Sequence, residues 1–238
     1  MALKLAYASD DGEDLLRTGL IGYFPLEEGE GPRLDASVFG NHLSQDGTSA
    51  VPDTTGKVGA ASAAMTASSK HNLQRVQFAL AGSWFIAGWV KLTNLGNSGY
   101  IFSRDGANND ASHWLRFDQP SGEMRAGVST DGSDSTEVAS PPPSVNNWSL
   151  MIYGWDDTAK AVFLSVDGSG LASEEVGADW NAAGSIDFCM GGRKPANPQN
   201  NMDMNADHVG VWAGVDLTDA HIVALYAGGD GVAVYGGR

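Results

Sequence analysis

Apolar and polar residues alternate along most of this chain in short runs closed by Gly, Pro, Asn, Asp or Ser, and that period of two predicts half-buried strands. The strongest run is SWFIAGWVKL, residues 83–92, where aromatic and β-branched side chains sit between polar breaks. LIGYFPL, residues 20–26, predicts a strand whose Pro25 confines it to an edge or an end, because proline donates nothing to a ladder. GYIFSRDG, HWLRFDQPSGEMRAGVSTDG and WSLMIYGWDDTAKAVFLSVDG predict meandering hairpins, the last reversing at Asp156-Asp157-Thr158-Ala159. SIDFCMGGR predicts a further strand. KVGAASAAMT, residues 57–66, is rich in helix formers, but its small side chains and the neighbouring Gly56 and Gly59 predict a strand in a crowded place. One helix stands out, in DLTDAHIVALYAGGDG, with Thr218 as N-cap, Asp219 in the first turn, Ile222, Leu225 and Tyr226 on one face, and Gly228 as the stop. Between these elements lie a long polar loop after residue 26 with an ordered piece at HLS, an extended PPP connector at 141–143 and an asparagine-rich loop at 194–205.

The 238 residues suit one β-sandwich domain over residues 19–238, preceded by a polar arm, residues 1–18, with a single helical turn between Gly12 and Gly19 and a place on the surface or on a neighbour. Hydrophobic residues make up 42% and are spread throughout, so a continuous core is available. The 31 glycines point to tight reversals rather than long helices, which makes this an all-β composition. A formal charge of −15 repels phosphate backbones and anionic bilayers, so nucleic acid is excluded as a partner class and membrane insertion is not expected. Cys189 is the only cysteine, which rules out an internal disulfide, and its FCMGG setting reads as a buried thiol. The apolar run before Asp10 and Asp11 is too short for a secretory signal, so synthesis and folding in a cytoplasm are expected.

Catalytic chemistry is not visible. No E-x-D-x-x-E strand is present to set two carboxylates across a glycosidic bond, and Glu13, Glu27, Glu28, Glu30, Glu123, Glu137, Glu174 and Glu175 all fall in segments that read as turns or loops. His42, His71, His113, His208 and His221 show no H-E-x-x-H spacing, and His208 reads as facing solvent or a neighbouring sheet. G-x-S-x-G is absent. Trp114, Trp148, Trp155, Trp180 and Trp212 are candidate sugar-stacking surfaces, although core packing accounts for each more simply. The amide-rich loop at 197–205 is a candidate for orienting sugar hydroxyls.

Taken in order, GLIGYFPLEEGEG, DASVFGN, WFIAGWVKL, YIFSRDG, NNWSLMIYGWDDTAKAVFLSVDG, MGGR and ADHVGVWAGVDLTDAHIVALYAGG resemble the laminin G-like, concanavalin A-like jelly rolls of bacterial exoproteins and phages, over roughly residues 19–229. The resemblance implies a two-sheet antiparallel jelly-roll sandwich, one sheet concave, with one short C-terminal helix. It also implies a structural Ca2+ tying the early loop to the last strand through Asp35, Asn41 and Asp207. Here Val38 and Phe39 stand between Ser37 and Gly40, a departure from the D-x-S-G-N spacing of the family. The alternative is that Asp35 and Asp207 cap turns and bind no metal.

The expectation is a non-catalytic structural or adhesion protein of a virus particle, a bacteriophage capsid-decoration, tail or fibre component, found on the virion surface after cytoplasmic synthesis. Its expected partners are other virion proteins, host-surface glycan and further copies of itself in an oligomer or larger assembly. The alternative is an extracellular, calcium-dependent carbohydrate- or protein-binding module of a secreted bacterial system.

Overall fold

The computed structural model describes residues 10–46, 50–75, 78, 80–104, 112–180, 187–193 and 201–234. In chain order the elements are α1 (Asp10–Arg17), β1 (Leu20–Phe24), β2 (Ser44–Asp46), β3 (Asp53–Thr55), β4 (Ala61–Met65), β5 (Asn72–Arg75), β6 (Trp84–Leu92), β7 (Gly99–Arg104), β8 (His113–Asp118), β9 (Glu123–Ser129), β10 (Ser135–Ser140), β11 (Trp148–Asp156), β12 (Ala161–Val166), β13 (Ala172–Glu175), β14 (Phe188–Met190), β15 (Met204–Ala213) and α2 (Asp219–Tyr226). Two antiparallel sheets carry the fold. One has eight strands in the order β13-β12-β11-β6-β15-β4-β3, with β1 also paired to β15, and the other has seven in the order β10-β9-β8-β7-β14-β5-β2. This is the expected all-β jelly-roll sandwich.

The alternation seen in the sequence becomes the two faces of each sheet. From β6, Trp84, Ile86 and Val90 point between the sheets, where Phe102, Leu115, Phe117, Met124 and Phe188 of the seven-stranded sheet meet them. Phe85, Ala87 and Trp89 point the other way and are buried as well, so β6 is apolar on both faces and reads as a continuous run. What buries that second face is helix. Leu16 of α1, Ile222 and Leu225 of α2, and Val234 lie over Phe85, Trp89, Leu150, Ile152 and Trp212. Phe85 stacks on Trp212 with ring centroids 4.6 Å apart, and the Trp212 indole N–H donates to the Leu16 carbonyl at 2.8 Å. A fully buried side chain of this kind stabilises by roughly 1.5–3 kcal/mol, which is why the N-terminal segment holds a two-turn helix where a single turn was expected.

The C-terminal helix starts at the expected residue. Thr218 is extended, its hydroxyl accepts from the His221 N–H, and the His221 ring accepts in return from the Thr218 N–H at 3.2 Å, so a histidine fills the place usually taken by Glu or Gln in a capping box. Its C-cap is Ala227 in the left-handed conformation, one residue before the expected Gly228. The loop reversals are side-chain capped too: Asp156 Oδ1 accepts from the N–H groups of Thr158 and Ala159, both at 2.9 Å, which makes the β11–β12 turn.

Candidate functional site

Helices cover the outer face of the eight-stranded sheet, whereas the outer face of the seven-stranded sheet presents polar side chains. Core-facing Leu115 and Phe117 on β8, Met124 and Ala126 on β9, and Val138 on β10 leave Trp114, Arg116, Glu123, Arg125 and Glu137 pointing outward. Trp114 lies across Gly127, whose position would place a Cβ 2.6 Å from the indole ring, so only glycine lets the ring lie this flat. Its N–H donates to Glu137 Oε1 at 3.0 Å. Glu137 then bridges two cations, Arg116 Nη2 at 3.0 Å from Oε1 and Arg125 Nη1 at 3.1 Å from Oε2. Arg125 also reaches Glu123 at 2.9 Å, and its own pKa is raised, first by the bond to Glu137. Asp118 is held below the usual carboxylate range by the Ser121 hydroxyl and then by the two nearby guanidiniums.

Along the same face, Tyr100 stands opposite Arg116, and the Arg193 guanidinium sits 5.7 Å from its ring centroid. Beyond β7 and β14, Asn72 and Gln74 share one face of β5, and their Oδ1 and Oε1 atoms are buried without a hydrogen-bond partner among the described residues. An orphaned buried acceptor costs about 1–3 kcal/mol unless a water or a ligand donor reaches it. The face therefore carries a largely buried charged lattice on β8–β10 and, across β7 and β14, a pair of buried, unsatisfied amide oxygens on β5.

Glu27, Glu28 and Glu30 lie in a loop as expected, and the other five glutamates differ from expectation. Glu123 is on β9, Glu137 on β10, Glu174 and Glu175 on β13, and Glu13 in α1, none of them in a loop. Glu123 and Glu137 share the outer face, each engaged by Arg125. Of the candidate tryptophans, Trp155 and Trp212 are wholly buried, Trp180 packs against Trp84 and His113, and Trp114 is only 5% exposed. Trp148 is half-buried, with the Lys91 ammonium 5.0 Å from its ring. Residues 197–200 of the amide-rich loop lie outside the described residues.

Asp35 and Asn41 come together, but as a capped loop. Asp35 Oδ1 accepts from the N–H groups of Tyr23 and Ser37, both at 2.8 Å, and Oδ2 accepts from the Ser37 hydroxyl at 2.7 Å and the Asn41 N–H at 2.6 Å. The Asn41 side-chain oxygen accepts from Arg75 at 2.9 Å. Asp207 sits elsewhere, at a bulge where β15 changes partner from β4 to β1. Its Oδ2 accepts from the N–H groups of Lys57 and Val58 at 2.7 and 2.8 Å, and its Oδ1 has no hydrogen-bond partner among the described residues. His208, expected at solvent or against a sheet, is instead turned inward at φ +47°, its Nδ1 against the Tyr23 hydroxyl and its Nε2 3.8 Å from both Asp207 Oδ1 and Glu27 Oε1. Burial pushes the Asp207 carboxyl up to about 7 and the His208 imidazole down to about 4.

The 61–223 segment matches the family Laminin_G_3, described as the concanavalin A-like lectin/glucanases superfamily. The chain belongs to this superfamily. No curated protein sequence is significantly similar. Solved structures with the same fold include domain 4 of AbnA, a GH43 extracellular arabinanase from Geobacillus stearothermophilus, in complex with arabinotriose (16% identity, 85% of this chain and 96% of that one, TM-score 0.64). The ligand-binding domain of botulinum neurotoxin serotype D in complex with N-acetylneuraminic acid is similar at 11% identity (91% of this chain, 52% of that one, TM-score 0.68). So is the binding domain of Paraclostridial Mosquitocidal Protein 1, at 9% identity (89% and 53%, TM-score 0.67). The chain spans about half the length of these toxin domains.

Within the superfamily framework, calcium at Asp35, Asn41 and Asp207 meets poor chemistry here. Calcium takes six to eight oxygens, yet both Asp35 oxygens are saturated by donors, and Asp207 shares its space with an imidazole nitrogen. The donor set does not fit that ion. The loop wrapping the Asp207 cluster is itself tightly specified. At φ +83°, Gly59 would place a Cβ 2.0 Å from Glu27 Oε1, while Ala60 and Ala61 N–H groups donate to Glu27 Oε2 at 3.1 Å. Gly59→Ala should lower stability by about 1–2 kcal/mol through the left-handed backbone and the displaced carboxylate, measured by urea unfolding.

Proposed function

We propose that the domain is a non-catalytic carbohydrate-recognition module that binds through the outer face of its seven-stranded sheet. The observation that carries this reading is the Arg116–Glu137–Arg125 lattice on β8–β10, which shares its sheet with the orphaned oxygens of Asn72 and Gln74 on β5, across β7 and β14. Vicinal sugar hydroxyls donate and accept at once, so a face with guanidinium and carboxylate forks suits them, and the unsatisfied amide oxygens two strands away offer acceptors to an extended chain of sugars once the cover over them shifts. The fold is shared with an arabinanase domain seen with arabinotriose and a toxin domain seen with N-acetylneuraminic acid, which supports the sugar reading by analogy of fold alone. On a glycan array the purified chain should bind at millimolar affinity or tighter, equally with and without chelator, and Arg116→Ala and Gln74→Ala should each weaken binding about tenfold. Silence on the array, or binding indifferent to both substitutions, would sink the reading.

The finer setting is a bacteriophage decoration, tail or fibre component, and a second surface favours it. Leu34, Val38 and Phe39 are 52%, 87% and 58% exposed on the loop that Asp35 holds rigid, an apolar display suited to a protein neighbour in an assembly. The lone buried cysteine accords with folding in a reducing cytoplasm before release. Immunogold labelling of purified particles should find the chain on their surface, with labelling lost for Phe39→Asp. Particles that lack the chain would remove this setting and leave the recognition module standing.

A further inference from the structure

We propose that Glu27, Asp207 and His208 form a three-ligand site for a borderline divalent transition metal such as Zn2+, with the fourth position open to water. The three side chains come from separate parts of the chain, and their ligand atoms all lie within 4.8 Å of one another. The bulge of β15 creates the site. Where the strand's edge passes from β4 to β1, its register slips between Asp207 and Gly210, and His208 takes the left-handed conformation, which turns its ring to the side of its neighbour's carboxylate.

Two buried atoms inside this cluster lack a hydrogen bond among the described residues, although each lies 3.8 Å from the other across the site. Asp207 is 0% exposed and the His208 side chain 7%, yet neither Asp207 Oδ1 nor His208 Nε2 has a hydrogen-bond partner among the described residues. The remaining atoms of the two residues are already committed: Asp207 Oδ2 to the Lys57 and Val58 N–H groups, His208 Nδ1 to the Tyr23 hydroxyl. Tyr23 is itself fixed by the Val234 N–H at 3.0 Å, so the ring is held from behind as metal-bound imidazoles are. Glu27 is oriented by the Ala60 and Ala61 N–H groups, and its 37% exposed side chain supplies the path for entry.

Metal–ligand distances of about 2.0–2.2 Å place tetrahedral ligand atoms roughly 3.3–3.5 Å apart. The two 3.8 Å separations from His208 Nε2 contract slightly to meet that geometry, and the Glu27–Asp207 pair, within 4.8 Å, closes with them through the partly exposed Glu27 side chain. An imidazole nitrogen and carboxylate oxygens are each ligands that Zn2+ accepts, and the two negative charges of the bound carboxylates neutralise the ion. The metal would tie the residues after β1, the 56–61 loop and β15 into one unit.

The test uses the full chain stripped with chelator and titrated with Zn2+, Co2+ or Ca2+ by calorimetry. One equivalent of Zn2+ should bind at micromolar affinity or tighter and raise the thermal midpoint, Co2+ should give the intense visible bands of a tetrahedral site, and Ca2+ at the same concentration should do neither. His208→Asn, which keeps a residue tolerant of the left-handed backbone, should weaken Zn2+ at least a hundredfold. Glu27→Gln should weaken it at least tenfold, and being partly exposed it tests the site even if the first variant does not fold. Equal Zn2+ binding by the wild type and a folded variant would mean an adventitious ion only. That result, no stoichiometric binding, or a preference for Ca2+ would each overturn the proposal.

Discussion

Glu137→Ala is expected to lower folding stability by about 2 kcal/mol and to cut sugar affinity at least tenfold. The carboxylate accepts from the Trp114 indole and pairs with both Arg116 and Arg125. Removing it strips three partners at once. Arg116 and Arg125 are directly opposite one another on β8 and β9, and like charges in that position repel once nothing lies between them. An isolated exposed pair would be worth only about 0–1 kcal/mol. Here all three side chains are 17–30% exposed and form a network, which places the loss nearer the 1.5–3 kcal/mol of a hydrogen bond to a charged group. Urea unfolding of wild type and variant, with calorimetric titration of an array-identified glycan, measures both effects. Unchanged stability with lost affinity would show that the lattice serves the ligand alone, and unchanged affinity would place the ligand elsewhere.

Acid should unfold the domain through His113. This side chain points into the core against Trp84, Trp180 and the Tyr153 hydroxyl, and burial, reinforced by nearby Arg104, pushes its pKa down to about 3. The folded state therefore refuses a proton that the unfolded chain takes up near pH 6.5. Stability is present in full above that pH and falls as the pH drops, by up to about 1.4 kcal/mol per unit, until the folded-state pKa is reached. His208, pushed down to about 4, acts in the same direction. Asp207, pushed up to about 7, acts oppositely, since its burial favours the protonated form and stability falls as pH rises from about 4 towards 7. In metal-free protein those two neighbours offset each other over most of the window, leaving His113 to set most of the slope, with His71 and His221, also pushed down by burial, adding in the same direction. His113→Asn should thus lower stability at pH 7, through the poorer packing, while flattening its dependence between pH 6.5 and 4. Urea midpoints at half-unit intervals would read the slope, and an undiminished slope in the variant would remove His113 as the cause.

Most of the scaffold was legible because its signals are local. The double-sided apolar run of β6, the Asx-capped turn at Asp156 and the Thr218 cap each need only a few consecutive residues to declare themselves. The outer face of the seven-stranded sheet was less legible. Glu123 and Glu137 sit in polar segments near turns, and their strand character shows only in the weak alternation of EMRAGVS and STEVAS. The apolar partners were there at Met124, Ala126 and Val138, and reading them as the inward half of a pleat would have placed both carboxylates on one face.

By itself, the sequence determined the sandwich, its hairpins, its C-terminal helix and the absence of any local catalytic motif, since period, turn chemistry and capping act over short stretches of chain. Only the tertiary structure decided that α1 helps seal the second apolar face of β6, that Asp35 and Asn41 cap a loop, and that Asp207 meets Glu27 and His208. Glu27 and Asp207 are separated by most of the chain, and a one-strand change of partner with a bulge at His208 brings them together. Strand pairing sets that meeting, through hydrogen bonds between backbones that carry no residue identity, and so nothing in the string of side chains announces it.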